Sequence, residues 1–103
     1  MTADALDFDS TLIRRGFNAA TYTDMAEFVE TIENRSLDKL LSELPGLASL
    51  SEMKFTLARQ VIRRRARTLT RVDREQLRVL AYEVADTARG EVGERIRAMF
   101  TLA

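Results

Sequence analysis

A chain of 103 residues, 46% hydrophobic and 31% charged, has the length and apolar content of one folded domain with one core, which excludes an intrinsically disordered segment. It contains no cysteine and no histidine, which excludes a disulfide framework, a thiolate metal site, the commonest zinc ligand and the Ser-His and Cys-His nucleophile arrangements. The 16 basic and 16 acidic groups balance, yet residues 1–50 hold 4 basic and 9 acidic groups while residues 51–103 hold 12 and 7. Two halves of opposite charge either neutralise each other on folding or leave a basic half for an anionic partner.

Four glycines at 16, 46, 90 and 93 are too dispersed for a phosphate-binding loop. No apolar run approaches the ~20 residues of a membrane span, and the first ten residues carry acids where a secretory signal carries bases. The expectation is a cytoplasmic protein with no membrane partner.

In chain order, residues 1–22 show no sustained period and read as a semi-ordered arm, with Asp9 placed to cap a turn over residues 10–15 that stops at Gly16. Residues 23–103 read as a single helical domain. From Thr23, Met25, Phe28, Val29 and Ile32 recur at helical spacing with Asp24, Glu27 and Glu30 turned away. Outward acids of this kind form a solvated face, and no metal is assigned to them. The pattern restarts at Leu37, Leu40, Leu41 and Leu44 behind the cap Ser36 and predicts a short second helix ending at Pro45-Gly46.

Ser49 and Glu52 have capping-box spacing and predict a third helix to about Thr68. Its apolar residues, Leu50, Met53, Phe55, Leu57, Ala58, Val61, Ile62, Ala66 and Leu69, cover more than half the circumference, so this helix is expected at the centre. Thr70 and Asp73 open a fourth helix whose stripe, Leu77, Leu80, Ala81, Val84, Ala85 and Ala88, continues in phase into Val92, Ile96 and Met99. That continuity across Gly90 and Gly93 fits either one long weakened helix or two helices with a hinge. With no period-two alternation, hairpin turn or internal repeat, the expected fold is all-α: a small antiparallel helical bundle of four to five helices with an N-terminal arm.

One string has a catalytic likeness. Asp7-Phe8-Asp9-Ser10-Thr11-Leu12-Ile13 resembles the DxDxT signature of the haloacid dehalogenase phosphatases, phosphoserine phosphatases especially, and the resemblance implies a nucleophile at Asp7 and an acid/base at Asp9. The buried strand before that motif, the doubly wound sheet after it, and the downstream lysine and paired acids have no counterpart in this pattern. A helix cap at Asp9 accounts for the same residues. The chain is therefore read as non-enzymatic, with no catalytic residue, cofactor, metal or small-molecule substrate.

Binding surfaces remain. Residues 59–78 hold Arg59, Arg63, Arg64, Arg65, Arg67, Arg71, Arg74 and Arg78 against Asp73 and Glu75. Arg59, Arg63 and Arg67 form a stripe at i, i+4, i+8, and with Arg64 and Arg71 they are the candidate nucleic-acid contacts; no interleaved aromatic supports base stacking. Pairs along the fourth helix, Arg71 with Glu75, Asp86 with Arg89 and Glu91 with Arg95, supply the competing structural explanation. Arg65 projects into the apolar arc and must snorkel, pair or enter a partner. Val72, Val79 and Tyr82 lie off the core stripe inside a polar rim, the anatomy of a protein interface, unless the arm covers them through Leu6, Phe8, Leu12, Ile13, Phe17 or Tyr22. The favoured reading is a small helical adaptor or assembly subunit that binds protein partners or itself through Val72, Val79, Tyr82 and Arg65, with nucleic-acid binding as the alternative.

Overall fold

In the computed structural model, which describes residues 19–100, hydroxyl side chains open three helices. The Ser36 hydroxyl accepts from the Lys39 amide (3.3 Å), Ser51 from the Lys54 amide (3.2 Å) and Thr70 from the Asp73 amide (3.1 Å). Each satisfies one of the donors that a helix start leaves free. The elements are α1 (Ala19–Glu33), α2 (Leu37–Leu50), α3 (Glu52–Ala66), α4 (Arg71–Ala88) and α5 (Gly90–Ala98), with no strand among the described residues. The fold is all-α.

Two boundaries differ from those the sequence suggests, a third decides between alternatives that the sequence leaves open, and α1 also starts at Ala19, ahead of Thr23. First, α2 does not stop at Pro45-Gly46 but runs through them to Leu50. Proline inside a helix costs ~3 kcal/mol, but stopping there would forfeit Leu47 and Ala48, which extend the stripe of Leu40, Leu41 and Leu44 and pack on the same core. Second, the cap of α3 is Ser51, not Ser49. Ser49 still lies within α2 and donates its hydroxyl to the Pro45 carbonyl (3.4 Å), whereas Ser51 is extended (φ −161°, ψ 118°) and donates its own amide to Leu47 (2.8 Å). One residue thus closes α2 and opens α3, and Leu50 beside it points outward at 81% exposure instead of joining the apolar arc.

Third, the chain breaks between α4 and α5. Arg89 (φ 61°) and Gly90 (φ 57°) both have positive φ, so the helical path ends although the apolar period continues. Of the two alternatives left open, the structure has two helices. Gly93 lies inside α5 and is buried against the Ala85 backbone.

Contacts between named residues give the topology. Met25 of α1 packs with Met53 and Leu57 of α3, and Glu33 pairs with Arg64, so α1 and α3 run side by side. α2 lies against α3, α4 and α5. α3 buries Met53, Phe55, Leu57, Ala58, Val61, Ile62 and Ala66, as its broad apolar arc predicts, and shares the centre with α2. The main core joins Ile32, Leu40, Leu41, Leu44, Phe55, Val61, Ile62, Leu77, Ala81, Ile96 and Met99. At roughly 1.5–3 kcal/mol for each fully buried large side chain, this cluster dominates the stability. No described helix is long and apolar enough to cross a membrane.

Candidate functional site

Most of the arginine cluster is consumed by the fold. Arg65 Nη1 donates to the Arg35 carbonyl beyond α1 (2.7 Å), so its half-buried guanidinium ties the α1–α2 turn to α3 and gives one of its donors an acceptor beside the apolar arc. Arg74 reaches back to the carbonyls of Ala66 (3.3 Å), Arg67 (3.3 Å) and Leu69 (3.4 Å), closing the end of α3. Arg64 pairs with Glu33 across α1 and α3.

Arg59 is half-buried, with its guanidinium 5.4 Å from the Phe55 ring centroid. Burial, then the neighbouring Arg95 and Arg63, hold its pKa below the ordinary arginine range against the opposing pull of Glu52. Of the five candidate nucleic-acid contacts, only Arg63, Arg67 and Arg71 are exposed, and no side-chain hydrogen bond or ion pair engages them among the described residues.

Two further pairs cross between helices, and one runs along α4. Arg95 binds Glu52 through two contacts (2.5 and 3.0 Å) and stacks 4.7 Å from Phe55; the Glu52 hydrogen bond raises the Arg95 pKa further. Asp86 pairs with Arg97 of α5, not with Arg89, and Glu75 pairs with Arg78, not with Arg71. The bend at Arg89 and Gly90 folds α5 back onto α4, which brings Arg97 to Asp86.

The apolar trio also divides. Tyr82 lies between Arg78 and Arg97, with ring distances of 5.7 and 5.3 Å, a stacked position that covers it on the α5 side. Val72 and Val79 are 66% and 52% exposed. They share a face with Gln76 and Glu83 at helical spacing, on the opposite flank of α4.

That flank borders a groove between α2 and α4. Leu37, Asp38, Leu69, Asp73, Gln76, Leu77, Val79, Leu80 and Glu83 line its first part. Leu80 and Glu83 carry it on toward Ser42, Pro45, Val84, Thr87 and Ala88. The floor is aliphatic and every charged lining residue is an acid: Asp38, Asp73 and Glu83. No ion pair neutralises any of the three among the described residues. Asp38 and Asp73 also favour their own helix starts, each lying in a first turn.

The groove-lining leucines read from sequence as core positions. The signal that marks the groove is the face shared by Val72, Gln76, Val79 and Glu83, apolar residues alternating with polar ones on a helix whose core stripe lies elsewhere. The described residues include no group of histidine, cysteine and acidic side chains able to hold a metal. Asp7 and Asp9 lie outside the described residues. No family model, curated protein or solved structure matches the chain.

Proposed function

We propose that this protein is a small non-enzymatic helical adaptor or assembly subunit, cytoplasmic in keeping with its lack of cysteine, that docks a protein segment in the groove between α2 and α4. The observation that carries this reading is an exposed valine, Val79, lining an aliphatic groove whose rim carries three unneutralised acids, with the exposed Val72 two turns before it on the same face of α4. Exposed apolar side chains within a polar rim are a costly way to build a free surface and an effective way to bind a partner. The rim selects a segment that brings apolar side chains together with arginine or lysine. Arg65, whose donor is bound to the Arg35 carbonyl, supports this surface by fixing α3 and the α1–α2 turn.

A second reading, nucleic-acid binding, rests on Arg63, Arg67 and Arg71, which are exposed and unbonded among the described residues. Affinity capture from the native host, with and without nuclease, separates the two. Protein docking predicts capture that survives nuclease and is lost on Val79→Asp. Capture abolished by nuclease and by Arg63→Glu/Arg67→Glu, and insensitive to Val79→Asp, overturns it.

A further inference from the structure

The chain itself contains a segment with the chemistry that the α2–α4 groove selects. Leu12-Ile13-Arg14-Arg15-Gly16-Phe17 brings three large apolar side chains and two adjacent arginines, against an aliphatic floor of Leu37, Leu69, Leu80 and Val84 and a rim of Asp38, Asp73 and Glu83. These two arginines are the only basic residues before Arg35, and the acids Asp4, Asp7 and Asp9 confine the complementary stretch to residues 12–17. Asn18 alone separates this stretch from α1, and α1 packs on α3, whereas the groove lies between α2 and α4. Docking in the groove of a neighbouring molecule sets no requirement on the reach of this stretch across its own chain.

We propose that residues 12–17 of one copy dock in the α2–α4 groove of a second copy, so that the protein assembles with itself by exchanging its N-terminal segment. This rests on the docking reading above and names its occupant. Reciprocal exchange gives a closed dimer and one-directional exchange gives a ring or filament.

Sedimentation velocity of the full chain at high micromolar concentration tests it. The wild type is expected to sediment above the monomer mass. Arg14→Glu/Arg15→Glu is expected to weaken self-association by about tenfold or more, with helical circular dichroism unchanged. Glu83→Arg alone is expected to weaken it likewise, and combining Glu83→Arg with the two arm reversals is expected to restore part of the loss. A wild type that remains monomeric, or an assembly indifferent to the arm reversals, overturns the exchange. If either occurs while Val79→Asp still abolishes capture of a host protein, the groove binds a foreign segment and only the exchange falls. If Val79→Asp changes neither assembly nor capture, the docking reading falls with it.

Discussion

Gly93 of α5 rests directly on the backbone carbonyl of Ala85 in α4, so that a methyl group in its place would run into the neighbouring helix. Gly46 is the opposite case: it sits in α2, exposed, with open space where a side chain would go.

The two glycines therefore respond with opposite signs to the same substitution. Gly93→Ala forces α5 away from α4 and is expected to destabilise the protein by roughly 1–3 kcal/mol, the cost of overpacking a close contact. Gly46→Ala adds no clash, removes backbone entropy from the unfolded chain and is expected to stabilise by about 0.5–1 kcal/mol. Urea denaturation of both variants checks the pair. Equal effects would contradict the close approach of α4 and α5.

Arg89 occupies positive φ (61°) with ψ near extended (176°), a region almost confined to glycine. Its side chain has no part in capping α5, which has no side-chain cap. Arg89→Gly is expected to stabilise by about 1 kcal/mol, since relief of a strain of ~1–3 kcal/mol exceeds the extra entropy glycine loses on folding. Thermal unfolding reads the sign directly, and a lower melting temperature would refute it.

The sequence exposes the core of each helix and the caps Ser36 and Thr70, but not how the chain behaves at Pro45 and Gly90. The recurrence of Met25, Phe28, Val29 and Ile32, and of Leu77, Ala81 and Ala85, follows from the need to bury one face, and periodicity reports that need directly. The ends at Pro45 and Gly90 are settled by competition between local cost and tertiary burial. At Pro45 burial of Leu47 and Ala48 wins, and at Arg89 and Gly90 the fold of α5 onto α4 wins, neither of which a local signal weighs. The same limit applies to the site. Val72 and Val79 stand out from the stripe in sequence, whereas the acids that rim their groove come from two helices and meet only in the folded chain. Arg65 stands out as an oddity, but its bond to the Arg35 carbonyl spans 30 positions and has no sequence signature.

Arg65 and Arg63 lie two positions apart in α3 and should behave differently. Arg65→Leu leaves the Arg35 carbonyl without its charged donor and is expected to cost about 1–2 kcal/mol. Arg63→Leu removes an exposed side chain with no bonded partner among the described residues and is expected to fall within about 0.5 kcal/mol of the wild type. Chemical denaturation midpoints distinguish them, and matching midpoints would remove the structural role assigned to Arg65.

The docking surface is tested most directly by placing a photo-crosslinking amino acid at position 79, beside the groove, or at position 63, on the basic stripe, and irradiating in the native host. The account predicts protein adducts from position 79 that Glu83→Arg diminishes, and none of comparable yield from position 63. Nucleic-acid adducts from position 63 with no protein adduct from position 79 would contradict it.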